Sequence, residues 1–213
     1  IDVHKEEKVI RDFELKLAGD FFISQPFLFG RISLNNIRVK ICCISSVEES
    51  QLAISNGASA LGLVSAMPSG PGVISEEKIS EIVKTIPPTI ASFLLTSKVK
   101  AEEIITQQKR LRTNTLQLVD AVGFEVYKKL RDELPGISLV QVIHVVSEKS
   151  IDEAISVSTY VDAILLDSGN PNFKVKELGG TGRTHNWSIS RKIRDAVNVP
   201  IFLAGGLNAE NIV

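Results

Sequence analysis

The chain has 213 residues, 44% of them hydrophobic and 6% aromatic, with a formal net charge of -1 at pH 7, so it can bury a core as one domain or two small ones. A nearly neutral chain with few aromatic residues lacks the positive field and the stacking surface that nucleic acid or an anionic membrane would require, so we expect neither partner. No apolar run approaches the roughly 20 residues of a membrane-spanning helix.

The first 36 residues differ from the rest of the chain. Apolar residues recur at helical spacing between residues 6 and 17, which predicts one amphipathic helix. The aromatic-rich stretch that follows, residues 21–29, is interrupted by Pro26 and bounded by Gly30. We therefore predict an N-terminal extension over residues 1–36 that contains one helix and serves to pack against the rest of the protein.

From residue 37 onward, strand-like and helix-like segments alternate. Short apolar runs predict strands at residues 38–42, 60–64, 90–95, 115–118, 139–145, 163–166 and 200–204. Between them, caps and apolar periodicity predict helices from Ser46 to Gly57, over 75–86, 100–111 and 124–134, from Ser150 to about Ser158, and over 188–197, with a last one beginning at Asn208. Ser46 with Glu49, and Ser150 with Glu153, have the spacing of capping boxes.

Strands that alternate with helices at this spacing predict βα units and a parallel sheet. We count about seven units, whose regular rhythm favours a (β/α)8 barrel of the TIM type over a doubly wound sheet. An eight-fold barrel would need one more strand and helix. The predicted fold is therefore an α/β barrel over residues 37–213 that lacks its last βα unit.

Two reactive side chains end predicted strands. Asp167 follows the buried run 163–166, and Cys42 ends the first strand, so both would reach the barrel face where active sites form. Lys40 lies two residues earlier on the same strand face, where a cation favours the thiolate. Two plainer interpretations remain open: a buried apolar role for Cys42, and a loop cap or a pairing with Arg183 for Asp167.

Two glycine-rich loops follow predicted strands. Gly179-Gly180-Thr181-Gly182 comes after Asp167, and Gly205-Gly206 ends a strand just before the predicted helix at Asn208. Free backbone N–H groups and a helix N-terminus favour a phosphate at the second loop. For the first loop two interpretations remain open, closure over a substrate and an ordinary surface loop.

Taken together, four spaced motifs resemble those of phosphoribosylanthranilate isomerase, a (β/α)8 enzyme family of tryptophan biosynthesis. They are Lys40-Ile41-Cys42, Leu165-Leu166-Asp167, Gly179-Gly180-Thr181-Gly182 with Asn186-Trp187, and Gly205-Gly206-Leu207-Asn208-Ala209-Glu210-Asn211. The resemblance extends from about residue 39 to residue 213. Any one of these motifs would be a weak signal, whereas the four in this order are specific.

The resemblance implies an Amadori rearrangement of N-(5'-phosphoribosyl)anthranilate, a small phosphorylated sugar, without metal or redox cofactor. It implies that Asp167 is the general acid at the ring oxygen and Cys42 the general base at the second carbon of the sugar. A buried acid and an activated thiolate suit these steps. Phosphate or substrate binding would fall to Lys40, Gln117, Gly180, Thr181, Gly205 and Gly206.

The expected setting of this enzyme is cytoplasmic. The two cysteines, Cys42 and Cys43, are sequence neighbours and are not expected to bridge each other, and no signal peptide is recognisable. These features predict a reducing compartment. We expect a monomer or a homodimer.

Four positions depart from the family pattern. Gly72 stands where family members carry an arginine for the anthranilate carboxylate, and Cys43 stands where they carry a glycine. Val119 and Asp120 replace His-Gly of the motif Gln-Leu-His-Gly, and the last strand with its Ser-Gly phosphate loop is not found. Arg183 could replace the missing arginine or be a solvated charge.

These departures leave two other functions open. One is a phosphate-binding barrel enzyme that acts on another sugar phosphate, and the other is a non-catalytic paralogue that binds a phosphorylated ligand or a partner. One further residue, His144 in the fifth strand, is either a site residue or simply packed there.

Overall fold

The computed structural model describes residues 38–208 and residues 210–211. The predicted N-terminal extension lies outside the described residues. The predicted helix at Asn208 is described only at its start. There the Asn208 carboxamide oxygen accepts hydrogen bonds from the backbone N–H groups of Glu210 and Asn211, as an N-cap residue does.

Within the described residues, seven strands and six helices alternate along the chain. The strands are β1 (Lys40–Ile41), β2 (Ala60–Val64), β3 (Ala91–Thr96), β4 (Thr115–Leu118), β5 (Ser138–His144), β6 (Ala163–Asp167) and β7 (Ile201–Leu203). The helices are α1 (Val47–Ser55), α2 (Glu76–Val83), α3 (Ala101–Leu111), α4 (Phe124–Glu133), α5 (Lys149–Ser158) and α6 (Trp187–Ala196). None of these helices combines the length and apolarity that a bilayer-spanning helix requires.

The seven strands form one parallel sheet in chain order, from β1 to β7. A helix connects each strand to the next, which is the connectivity of a (β/α)8 barrel. Seven of the eight strands of such a barrel are present among the described residues. The predicted fold class is therefore confirmed, and the carboxyl ends of all seven strands open on the same face.

Side chains alternate between two apolar layers along each strand. One cluster packs strands against helices and includes Leu61, Leu63, Leu94, Leu116, Leu118, Ile143, Ile164 and Leu166. The other fills the barrel interior and includes Ala60, Val64, Phe93, Leu95, Val119, Val140, Val142, Ala163 and Leu165. Since successive strand residues point to opposite faces, Gln117, His144 and Asp167 share the register of the interior layer.

Two predicted capping boxes differ in detail from the structure. The Ser46 hydroxyl accepts from the backbone N–H of Glu49, as predicted, but the Glu49 carboxylate binds the backbone and hydroxyl of Ser45. The predicted cap at Ser150 is wrong, because α5 already begins at Lys149. Ser150 instead accepts from the backbone N–H of Val146 and donates to the backbone oxygen of the last residue of β5.

Candidate active site

Asp167 lies at the carboxyl end of β6, with only 8% of its surface exposed. The backbone N–H of Ser168 donates to its Oδ1 atom over 2.7 Å. A Cβ atom at Gly179 would lie 2.9 Å from Oδ2, and one at Gly205 would lie 3.1 Å from Oδ1. Glycines from two different loops therefore leave just enough room for this carboxyl group at the barrel mouth.

Cys42 and Lys40 lie together at the end of β1. The ammonium nitrogen of Lys40 is 2.6 Å from the Cys42 sulfur and 5.2 Å from the ring centroid of Phe93, which belongs to the interior layer. A Cβ atom at Gly62, on the adjacent strand, would lie 2.6 Å from that sulfur. The thiol is exposed, so it can meet a ligand, and its sulfur is in direct contact with the ammonium group.

Gln117 and His144 carry buried polar atoms that have no hydrogen-bond partner within the described part of the chain. They are 4% and 7% exposed, and the unpartnered atoms are Gln117 Oε1 and His144 Nδ1. An unsatisfied buried polar atom costs about 1–3 kcal/mol. Such atoms in the interior of a barrel, near its mouth, are the kind that a polar ligand completes.

The β6 loop (residues 168–186) meets the β2 loop (residues 65–75) over the barrel mouth. The Ser69 hydroxyl donates to the backbone oxygen of Lys176 over 2.5 Å, and a Cβ atom at Gly180 would collide with the ring of Pro71. Thr181 is tied to the strand end, since its hydroxyl oxygen lies 2.7 Å from that of Ser168. Gly180 and Thr181 therefore belong to a cover above the carboxyl group of β6.

The glycine pair after β7 packs against the same β6 loop. Gly205 and Gly206 have φ values of 86° and 65°, in the region that favours glycine. A Cβ atom at Gly206 would lie 2.6 Å from backbone atoms of Arg183 and Thr184. The pair is thus held where it can present backbone groups to an anion beside the acid.

The β2 loop has no room for a side chain at Gly72. This residue has a φ of 77°, and a Cβ atom there would lie 2.5–2.9 Å from three atoms of Cys43. Arg183, the proposed substitute cation, forms an ion pair with Glu177 in its own loop. In this loop conformation, a side chain at position 72 would collide with Cys43.

Sequence reasoning did not single out His185, which precedes the N-cap residue of α6. Its Nε2 atom lies 2.6 Å from the Ser190 hydroxyl, while Nδ1 is buried without a partner in the described residues. Burial holds the pKa of His185 below its usual range, and the charge of Asp167 opposes that shift. A histidine within a glycine-rich loop was the signal available in the sequence.

Gly205→Ala tests the close packing of the glycine pair against the acid. Alanine at this φ costs roughly 1–2 kcal/mol in backbone strain, and its Cβ would also press on the hydroxyl of Ser168 and the carboxyl of Asp167. We expect inorganic phosphate to bind about tenfold more weakly. The matched control is Gly57→Ala, because Gly57 has a φ of 88° and open space around it. Equal phosphate affinity in the two variants would contradict this arrangement.

A family model, curated relatives and solved structures all indicate the same protein family. Residues 39–213 match the family model described as N-(5'phosphoribosyl)anthranilate (PRA) isomerase. The chain is 35% identical to N-(5'-phosphoribosyl)anthranilate isomerase 2 of Methanosarcina mazei, covering 83% of this chain and 77% of that protein. It is 30% identical to the isomerase of Methanocella arvoryzae, covering 82% and 80%. The crystal structure of phosphoribosyl anthranilate isomerase from Thermotoga maritima superposes with a TM-score of 0.70 at 28% identity, covering 83% and 80%.

Proposed function

This chain belongs to the N-(5'-phosphoribosyl)anthranilate isomerase family of tryptophan biosynthesis, and we propose that Cys42 and Asp167 are the reacting pair of its barrel. The family reaction is an Amadori rearrangement, in which a phosphorylated aldosylamine becomes an aminoketose by way of an enolamine. The observation that supports the assignment is that a cysteine directly after β1, beside a lysine of that strand, and a nearly buried carboxyl group at the end of β6 belong to the same barrel.

Asp167 supplies the proton for ring opening. Its O–H bond breaks as the proton moves to the ring oxygen, while the C1–O bond breaks and the nitrogen lone pair forms a C=N bond. A carboxyl group with 8% exposure, covered by two loops, is sheltered from water, as a general acid at this step must be. The contacts with Gly179 and Ser168 hold it in one orientation.

Cys42 then removes the proton at the second carbon. The C–H electron pair forms the C1=C2 bond, the C=N electrons return to nitrogen, and the sulfur is left as a thiol. The thiolate is the basic form of cysteine, and a nearby ammonium group favours it. Lys40 is placed for that task, with its nitrogen 2.6 Å from the sulfur.

Lys40→Met tests this part of the proposal, since methionine keeps much of the length of lysine without its charge. We expect iodoacetamide to alkylate Cys42 about tenfold more slowly at neutral pH, because only the thiolate reacts. The rate should be measured in a Cys43→Ser background so that a single thiol reports. Lys40→Arg, which keeps the charge, should stay near the unsubstituted rate; an unchanged rate in Lys40→Met would exclude Lys40 from thiolate stabilisation.

The remaining assigned residues bind the substrate. Gly205 and Gly206 offer the phosphate their backbone N–H groups, and Gly180 with Thr181 covers the sugar. Gln117, in the barrel interior with an unpartnered Oε1 atom, accepts a hydrogen bond from a sugar hydroxyl. The division of the chain into an extension over 1–36 and a barrel over 37–213 is supported by the family match, which begins at residue 39. We propose a cytoplasmic enzyme that is a monomer or a homodimer.

A second candidate function is favoured by one observation, the closed packing at Gly72. In the described residues no cation stands at this place to bind the anthranilate carboxylate, and Arg183 is paired with Glu177. A charge-assisted hydrogen bond contributes roughly 1.5–3 kcal/mol. A barrel without it could act on a phosphoribosylamine that carries another substituent.

Turnover of two substrates separates these functions. The protein should be assayed with N-(5'-phosphoribosyl)anthranilate and with the corresponding aniline, which lacks the carboxylate. Faster conversion of the anthranilate supports the family reaction, with a group other than residue 72 as carboxylate ligand. Equal or faster conversion of the aniline supports the second candidate. Phosphate binding with no conversion of either would indicate a non-catalytic paralogue and would contradict the proposed function.

A further inference from the structure

Ser168 directly follows the acid of the site and is held through both its backbone and its side chain. Its N–H donates to Asp167 Oδ1 over 2.7 Å. Its hydroxyl oxygen lies 2.7 Å from that of Thr181, 13 residues further along the β6 loop, which is a normal distance for a hydrogen bond between two hydroxyl groups. One residue therefore contacts both the acid and the loop that covers it.

Thr181 lies in the part of the β6 loop that packs over the barrel mouth. Its hydroxyl oxygen also accepts from the backbone N–H of Arg183 over 3.2 Å. The preceding residue, Gly180, stands so close to the ring of Pro71 in the β2 loop that a Cβ atom there would collide with it. The position of the Thr181 hydroxyl thus depends on how the β6 loop packs over the mouth.

The loop after β7 approaches the Ser168 side chain as well. A Cβ atom at Gly205 would lie 2.9 Å from the Ser168 hydroxyl oxygen and 3.0 Å from the Ser168 Cβ atom. The same Cβ would lie 3.1 Å from Asp167 Oδ1. The Ser168 side chain is therefore packed against one loop and hydrogen-bonded to another, and it keeps its hydrogen bond only while Thr181 stays over the end of β6.

We propose that Ser168 is a positioning residue that couples the orientation of Asp167 to the placement of the β6 loop, by way of its hydrogen bond with Thr181. While that bond is present, residue 168 is anchored and its N–H holds one carboxyl oxygen. When the bond is broken, residue 168 can turn about its backbone, and the donor to Oδ1 moves with it. The acid is thus best oriented when the loop covers the site. This role rests on the proposed function, because it concerns the acid of that same site.

Two substitutions remove the hydrogen bond, one from each side. Ser168→Ala deletes one hydroxyl but keeps the N–H that donates to Asp167, and Thr181→Val deletes the other hydroxyl with little change in shape. Thr181→Ser restores a hydroxyl at that position. The matched control is Thr184→Val, because Thr184 belongs to the same loop and its hydroxyl has no hydrogen bond within the described part of the chain.

The experiment measures kcat and KM for N-(5'-phosphoribosyl)anthranilate in the whole chain, together with the affinity for inorganic phosphate. We expect Ser168→Ala to lower kcat about tenfold with KM and phosphate affinity nearly unchanged, because a misplaced catalytic group loses rate rather than affinity. Thr181→Val should lower kcat by a similar factor, and Thr181→Ser should recover most of that loss. Thr184→Val should stay within about twofold of the unsubstituted protein.

Combined variants separate positioning from a purely structural role. The variant with both Ser168→Ala and Thr181→Val should lose little more than either single variant, since both changes remove the same bond. In an Asp167→Asn background, Ser168→Ala should add less than about twofold, because its effect passes through the acid. A bond that only stabilised the loop would lower the midpoint of unfolding and leave the kcat of the folded protein unchanged.

Four results would overturn this role of Ser168. They are an unchanged kcat in folded Ser168→Ala, additive losses in the combined variant, a full additional loss in the Asp167→Asn background, and a raised KM with weaker phosphate binding at unchanged kcat. The last would assign the Ser168 hydroxyl to substrate binding instead. Conversion by the unsubstituted protein is measured first. If that protein does not convert the substrate, the proposed function fails and the coupling with it; if it does, any of the four results removes the coupling alone.

Discussion

Replacing Cys42 by serine is expected to lower the rate of N-(5'-phosphoribosyl)anthranilate conversion by about 10²–10⁴-fold, the usual contribution of a general base. A serine hydroxyl is nearly the same size but is far too weak an acid to be ionised beside Lys40 at neutral pH. Since the Cys42 thiol is exposed, the substitution should change the free energy of unfolding by less than about 0.5 kcal/mol. The loss should therefore appear in kcat, with substrate affinity retained.

Cys43→Ser is the matched control for this prediction. Cys43 carries the same thiol one residue further along the chain, and its sulfur lies 3.7 Å from the backbone oxygen of Pro71 in the β2 loop rather than beside Lys40. We expect this variant to keep most of its activity. A Cys42→Ser protein that is folded and nearly as active as the original, or equal losses in both variants, would rule out Cys42 as the base.

The second large effect is expected from Asp167→Asn, with a loss of about 10²–10⁴-fold in kcat. Asparagine keeps the shape of the side chain and can still accept from the N–H of Ser168, but it has no acidic proton for the ring oxygen. Because asparagine fits the same space beside Gly179 and Gly205, phosphate affinity should remain close to that of the unsubstituted protein.

Asp120→Asn is the control for a carboxylate at a strand end. Asp120 follows β4 and forms an ion pair with Lys176 of the β6 loop. A partly exposed pair of this kind contributes up to about 1 kcal/mol, so activity should change by less than about fivefold. Activity that survives in Asp167→Asn, or that falls equally in Asp120→Asn, would show that the acid of this site has been misassigned.

The fold was predictable because its signals are local. Short apolar runs such as 60–64 and 115–118 are strands buried on both faces, and their alternation with helices leaves few topologies. The exact partners at helix starts were not predictable. Glu49 belongs to one pair with the spacing of a capping box and Ser150 to the other. Each side chain instead binds a competing partner nearby, Ser45 for Glu49 and His144 for Ser150.

Of the candidate site, only the residues placed by the ends of strands were predictable from the sequence. The positions of Cys42 and Asp167 follow from the register of the strands that carry them. The contact of Gly179 with Asp167 depends on how the β6 loop folds back over its own strand, and the approach of Gly180 to Pro71 depends on how this loop packs against the distant β2 loop. No periodicity or motif encodes such contacts. The unpartnered Nδ1 atom of His144 could not be predicted either, because it also depends on how loops and strands pack together.

The most direct test of the account is to follow the proton on the second carbon of the sugar by NMR. N-(5'-phosphoribosyl)anthranilate is incubated with the unsubstituted protein and, separately, with the Cys42→Ser and Asp167→Asn proteins. The account predicts that this signal disappears with the unsubstituted protein and persists with both variants, because ring opening by Asp167 must precede proton removal by Cys42. A signal that persists with the folded, phosphate-binding unsubstituted protein, or that disappears equally fast with Cys42→Ser, would contradict it.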